Sequence, residues 1–232
     1  MNEAEFDKFA EEYRLMHQKN IRITGESPEF FAEYKIVDLR KVWNQRQSSK
    51  EPAKILDFGG GVGASLPHIQ KWFPRSKVTI ADPSRRSLEI AKQNNSGSVE
   101  FLHFDGGSLP KPDGTFDIVF ASCVFHHIPE AEHVGLMREI RRVLAPSGVF
   151  VVFEHNPWNP LTLHAVNTCP FDENAVLMSA PTLQKRMNQA GFSEVEAAFR
   201  IFFPRILRCF RPLEKWMTKV PLGAQYYVVS TI

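Results

Sequence analysis

Three carboxylates follow short apolar runs in this 232-residue chain, and each leads into glycine or proline. Asp57 follows Ile55-Leu56 and precedes a turn with Gly59, Gly61 and Gly63. Asp82 closes the run Lys77–Ala81 ahead of Pro83-Ser84, and Asp105 sits between Phe104 and Gly106-Gly107. Carboxylates accept hydrogen bonds from ligand hydroxyls and pair with ligand cations, and a glycine turn lets backbone come within contact distance of a ligand. Two further groups suit proton transfer: His126-His127 after a fourth apolar run, and Glu154-His155 after a fifth. Imidazole titrates near neutrality, so His155 is the first choice of general base and His127 the second. No metal is expected at His126-His127, because adjacent side chains should diverge and no cysteine or carboxylate stands at ligand spacing.

The elements that must position these groups alternate. Lys54–Asp57 reads as a buried strand, followed by the glycine turn and a helix to about Trp72 whose N-terminal amides point at the turn. Lys77–Ala81, Val99–His103, Thr115–Ala121 and Val149–Phe153 are the next strands, with helices at Ser84–Gln93 and Glu130–Leu144. Strand and helix alternation from Lys54 to Glu154 predicts an α/β fold, a Rossmann-like parallel sheet wound on both faces. Three acids at successive strand tips would then converge on one crevice outside the carboxyl ends of the strands.

On either side of this core the pattern changes. Glu3–Gln18 carries apolar residues at helical spacing, and Ser27-Pro28-Glu29 reads as a helix start with Ser27 as cap, its apolar stripe reaching Trp43. Gln45–Pro52 is a polar linker. After Glu154 comes a proline-containing loop with one short helix, then a helix at Pro181–Ala190 and strand-like runs at Val195–Phe203 and Gln225–Ile232, which would close the sheet with an antiparallel edge. The expected organisation is one domain: a helical cap over 1–48, a cofactor-binding core over 53–154, a substrate-side insertion over 155–180 and a sheet-closing part over 181–232.

Composition narrows the class. Hydrophobic residues at 43% and charged ones at 23% are ordinary for a globular chain, and a formal net charge of +2 argues against a nucleic-acid coat. Three well-separated cysteines and a polar, acidic N-terminus without a signal-peptide pattern predict a reducing, cytoplasmic setting. No uncharged apolar run reaches the length of a membrane span. Between Arg200 and Lys219, six basic residues and one acid alternate with Phe202, Phe203, Ile206, Leu207, Phe210, Leu213 and Trp216. Such a segment either packs on the core with a solvated basic face or meets anionic lipid or an anionic substrate.

Three ligands compete for the glycine turn. A P-loop needs Lys and then Ser or Thr after its last glycine, and Gly63 is followed by Ala64-Ser65. A nicotinamide dinucleotide fits the spacing of Gly59, Gly61 and Ala64 with Asp82 further on. S-adenosylmethionine also needs a bare turn and an acid at the second strand tip, and it alone has use for Asp105 and the run Ser122–Pro129. ILDFGGGVG, IADPS, HFDGG, FDIVFASCVFHHIPE and REIRRVLAPSGVFVVFEH resemble, in order and spacing, the successive motifs of class I S-adenosylmethionine-dependent methyltransferases of small molecules. The likeness covers about Lys54–His155. The flanking GESPEFFAEYK, EHNPWNPLT and NTCPFDENAVL are more loosely similar to methyltransferases of glycan and lipid-linked biosynthesis.

The resemblance implies a seven-stranded sheet with an antiparallel last strand and a methyl donor that leaves as S-adenosylhomocysteine. It implies that Asp57, Gly59 and Gly61 hold the amino-acid end, Asp82 beside Pro83 the ribose hydroxyls, and Asp105 with Phe104 and Gly106 the adenine. Backbone around Ser122 and Cys123 would line the methionine chain. The acceptor pocket is expected from Phe31, Tyr34, Glu154, Asn156 and Trp158. The expected partner is a small-molecule acceptor, and no nucleic acid is expected. The alternatives are an NAD(P)-dependent oxidoreductase and a non-catalytic S-adenosylmethionine-binding protein, and the oligomeric state is open.

Overall fold

Runs of β-branched and aromatic residues bounded by glycine, proline and aspartate form seven strands, joined in one sheet in the order β3-β2-β1-β4-β5-β7-β6. The computed structural model describes Asp7 and residues 21–47, 53–95 and 97–232. The helix expected at Glu3–Gln18 lies, Asp7 apart, outside the described residues. β1 (Lys54–Phe58), β2 (Lys77–Asp82), β3 (Val99–His103), β4 (Phe116–Ser122) and β5 (Leu144–His155) pair in parallel. β7 (Gln225–Thr231) runs antiparallel between β5 and β6 (Ser193–Arg200).

The antiparallel strand is therefore internal, and β6 is the edge. Burial explains the order: Tyr226, Val228, Val229 and Ser230 of β7 are all buried, whereas β6 leaves Glu194 exposed and Glu196 beside solvent, as an edge strand requires.

Alternate residues of the central strands feed two cores. Ile55, Ile118, Phe120, Val149, Val151 and Phe153 face one way, and Leu56, Phe58, Val119, Ala121, Phe150 and Val152 the other. The first face is covered by α1 (Pro28–Gln47), α2 (Leu66–Trp72) and α3 (Arg85–Gln93), and the second by α4 (His133–Val143) and α6 (Ala180–Gln189). α5 (Pro160–Asn167) lies in the segment after β5, and α7 (Glu214–Met217) follows a 3-10 stretch at Arg205–Leu213.

α1 begins where its cap predicts, with the Phe30 amide donating to Ser27 Oγ (3.3 Å) and Pro28 in the first helical position. It continues into the expected linker as far as Gln47, since glutamine and arginine favour helix. Its first half packs Phe31 and Tyr34 against Ile21. Ile36, Leu39, Val42 and Trp43 of the remainder pack into the first core, and buried Asp38 pairs with Arg200 of β6 through two contacts of 2.5 and 3.2 Å. The chain reverses its direction of winding between β1 and β4, and the crevice above their carboxyl ends is the place such a sheet offers a ligand.

Candidate functional site

The glycine turn lies at that crevice. Gly59 has φ +73° and donates from its amide to Ala81 O (2.7 Å), tying the end of β1 to β2. A Cβ there would sit 2.6 Å from a Val124 methyl. Gly61 has φ +51°, and a Cβ there would meet nothing within 4 Å, so this is the open side of the turn. The Gly61 and Ser84 amides donate to the two carboxylate oxygens of Asp82 at 2.8 and 2.9 Å. Each oxygen keeps a second lone pair for a ligand hydroxyl. Burial raises Asp82 to about 6 against the pull of these two amides.

Asp57 lies directly under the turn, its carboxyl carbon 2.8 Å from where a Cβ of Gly60 would be. It is buried, and neither oxygen has a hydrogen-bond partner among the described residues. Burial, and then the charge of Asp82, push it up to about 8, with Lys35 opposing. A buried carboxylate without a partner costs several kcal/mol. Such a cost at the floor of a bare turn is understandable when a ligand cation completes the pair.

Asp105 is exposed at the tip of β3, its Oδ1 accepting from the Gly107 amide (3.0 Å), and Gly106 has φ +97°. The Phe104 ring is not turned to the crevice. It is buried 5.5 Å from the Phe58 ring, and its amide donates to Asp82 O, so only Phe104 backbone is left for a ligand. Pro83 is buried, its carbonyl 3.0 Å from His103 Nε2.

At the tips of β4 and β5 a second polar group assembles. Lys35 of α1 donates to Ser122 Oγ (2.8 Å) and to Cys123 Sγ (3.2 Å). Cys123 has φ +58°, a conformation that costs a non-glycine residue on the order of 1–3 kcal/mol and recurs at functional sites. Burial would raise its thiol, but Lys35 and then His155 bring it down to about 6. His155 Nδ1 lies 3.3 Å from Gln225 Nε2, and Gln225 Oε1 accepts from Tyr34 OH. Sequence reasoning missed Lys35. Its one signal is position, four residues after Phe31 and four before Leu39 on a stripe that is otherwise buried and apolar.

Several expected acceptor-pocket residues are structural instead. Phe31 is buried with Ile21 and Tyr34, and Tyr34 bears on the site through Gln225 rather than as an open wall. Glu154 is buried, accepting from the Phe125 amide (2.8 Å) and holding His126 Nδ1 (2.5 Å). Asn156 is spent on structure: its amide donates to Pro221 O and Gly223 O of a distant loop, and its oxygen accepts from the Trp158 amide. Trp158 is half-exposed and stacks on Phe199 of edge strand β6 at 6.5 Å.

The two histidine rings, expected to diverge, converge with centroids 4.2 Å apart, and Asp172 Oδ1 lies 3.7 Å from His126 Nε2 and 3.5 Å from His127 Nε2. Burial would lower His126, but Glu154 and Asp172 push it up to about 10. Burial, and then the His126 charge, hold His127 down to about 3.

A switch-point crevice with a bare turn, a buried partnerless carboxylate and an acid held by two backbone amides is an arrangement suited to an adenosyl or nucleotide cofactor. Comparisons narrow this class. Residues 55–148 match the family model described as "Methyltransferase domain". The chain is 36% identical over 110 residues to a sterol 24-C-methyltransferase of Gibberella zeae, spanning 45% of this chain and 28% of that protein. It is 35% identical over 127 residues to a demethylmenaquinone methyltransferase of Thermus thermophilus, spanning 52% and 56%. The chain thus covers between about a quarter and three fifths of these relatives' lengths. Its fold is that of an S-adenosylmethionine-dependent methyltransferase from Thermotoga maritima, described as a possible histamine N-methyltransferase, with a TM-score of 0.67, 19% identity and coverage of 99% and 98%. Residues 55–148 are thus similar to methyltransferase domains, and the fold is one that S-adenosylmethionine-dependent methyltransferases share.

The residues present fit that cofactor. Asp57 would supply the carboxylate its ammonium needs, Gly61 the open backbone of the same turn, and Asp82 acceptors for the ribose diol. Gly61→Ala tests the cradle. The added methyl occupies only the open side, so the fold should lose no more than about 1–2 kcal/mol to left-handed strain. Affinity for S-adenosylhomocysteine should fall more than tenfold by calorimetry, and unchanged affinity would move the cofactor elsewhere.

Proposed function

We propose that the chain methylates a small acceptor of lipid-linked or isoprenoid character, using S-adenosylmethionine as donor. The observation that carries the methyltransferase reading is the partnerless carboxylate of Asp57 under Gly60, in a turn whose next glycine, Gly61, is open. When bound, the cofactor supplies an electrophilic methyl on a sulfonium centre. The chain's own task is positioning and exclusion of water, which account for most of the barrier reduction in such a displacement. For a hydroxyl acceptor, His155 takes the proton as the new bond forms. Gln225 and Tyr34 orient its ring, and the neighbouring Cys123 thiolate stabilises the imidazolium produced. The lipid character is supported by the names of the quinone and sterol methyltransferases to which the chain is similar. A test incubates the protein with methyl-labelled S-adenosylmethionine and demethylmenaquinone or a total lipid extract. Label should pass into the organic phase with equimolar S-adenosylhomocysteine; label transferred only to water-soluble metabolites would refute the acceptor class.

The segment 200–219 supports a matching partner, a membrane surface bearing anionic lipid. Pro204 and Pro212 prevent one long helix, and buried Glu214 holds the bend by accepting from the Phe202 and Phe203 amides at 3.0 Å. Ile206 is 88% and Trp216 70% exposed, Phe210 and Leu213 are exposed beside them, and Arg205, Arg208, Lys215 and Lys219 lie among them. Apolar anchors interleaved with cations suit an anionic interface. Wild-type protein should sediment with vesicles of phosphatidylcholine and phosphatidylglycerol, and weakly with phosphatidylcholine alone. Trp216→Glu should abolish the difference; equal sedimentation of wild type with both vesicles would exclude the proposal.

A further inference from the structure

We infer that His126, His127 and Asp172 form a site for one divalent ion of the zinc type, with Glu154 orienting the first of the three ligands. This inference does not depend on the methyltransferase reading. One donor atom from each residue lies within 4.8 Å of the other two. Asp172 Oδ1 is 3.7 Å from His126 Nε2 and 3.5 Å from His127 Nε2. Tetrahedral zinc with bonds of about 2.0–2.2 Å sets its ligand atoms roughly 3.3–3.5 Å apart, so the two aspartate–histidine distances already match to within a few tenths of an ångström, and the third donor pair lies within 4.8 Å.

Local structure explains how neighbouring histidines come to share a target. They lie in a 3-10 turn, Phe125–His127, which sets the rings 4.2 Å apart at 47°. Glu154 then fixes the first ring. Its Oε2 holds His126 Nδ1 at 2.5 Å while its Oε1 takes the Phe125 amide at 2.8 Å, so Nε2 is the nitrogen left for a ligand. A carboxylate on the far nitrogen is the usual means of aiming and strengthening a metal-binding histidine. Asp172 arrives from the turn Pro170–Asp172, and the Val176 amide pins that segment to His126 O at 2.8 Å.

The donor set is two nitrogens and one carboxylate oxygen. That favours Zn²⁺, Co²⁺ or Fe²⁺ over Ca²⁺ and Mg²⁺, which prefer oxygen ligands. Three protein donors leave room for a water or another oxygen. The ion would fasten the segment around Asp172 across the end of β4, with the His155 ring 5.3 Å from that of His126.

The experiment is titration of chelator-treated full-length protein with Co²⁺, followed by visible absorbance, and with Zn²⁺, followed by calorimetry. One equivalent should bind with a roughly micromolar or tighter Kd. Bound Co²⁺ should show ligand-field bands without a thiolate charge-transfer band, which excludes the cysteines as the site. Zinc should also raise the melting temperature. His127→Asn and Asp172→Asn, each checked for folding by circular dichroism, should each weaken binding at least tenfold. Absence of saturable binding, a thiolate band, or full affinity in either folded variant would overturn the site. If a variant does not fold, the wild-type stoichiometry and spectrum decide alone.

Discussion

Asp57→Asn is expected to cost at least a hundredfold in S-adenosylhomocysteine affinity while making the protein more heat-stable. The two effects share one cause. Asp57 is buried without a partner and held near 8, far above the ordinary carboxylate value. In the unfolded chain it ionises at about 3.9. The folded state therefore binds a proton that the unfolded state has released, and stability falls as pH rises from about 4 to 8. At pH 7 that linkage amounts to at most about 4 kcal/mol, which asparagine does not incur. For a chain of this size each kcal/mol recovered is worth roughly 2–4 °C, so a rise of several degrees should appear by calorimetry. The cofactor's ammonium, however, needs the ionised carboxylate, and a neutral amide cannot replace that charge-assisted bond. Wild-type affinity should accordingly improve towards tenfold per unit as pH climbs from 6 to 8, and the variant should be flat. A variant that is destabilised and still binds normally would show that Asp57 belongs to the scaffold.

His155→Ala should lower turnover by roughly a hundred- to ten-thousandfold, the usual worth of a positioned general base, with cofactor affinity unchanged. His155 emerges at the carboxyl end of β5, opposite the β4 tip where Cys123 takes its left-handed turn. The contact with Gln225, itself bonded to Tyr34, restricts the ring, and the Cys123 thiol is a hydrogen-bond neighbour of the same imidazole. Tyr34→Phe should have a smaller effect on turnover and should shift the pH–rate profile, because the ring loses its orientation and keeps its base. Initial rates of S-adenosylhomocysteine release are the readout. Wild-type rates in His155→Ala would mean that the acceptor loses no proton to this residue.

The core could be read from the linear chain because each of its signals is local. An apolar run, an acid and a glycine turn are neighbours in sequence, so β1 to β5 and the placement of Asp57, Asp82 and Gly61 followed from spacing. What could not be read depends on distant partners. Nothing near Lys35 announces that its ammonium reaches a serine and a cysteine 87 and 88 residues away. Asn156 and Glu154 looked available in sequence, yet the backbone around Pro221 and the ring of His126 consume them. The convergence of His126 and His127 needed the tight turn and the return of the chain at Asp172. The last strand is antiparallel as expected, but it lies inside the sheet rather than at its edge, because both faces of β7 are buried.

The central claim is tested most directly by titrating wild-type protein with S-adenosylhomocysteine at pH 7 in two buffers of different ionisation enthalpy. Binding at one equivalent should release close to one proton, because a carboxyl group held near 8 must ionise to meet the ligand's ammonium. No saturable heat, or saturable binding with no proton released, would contradict the account.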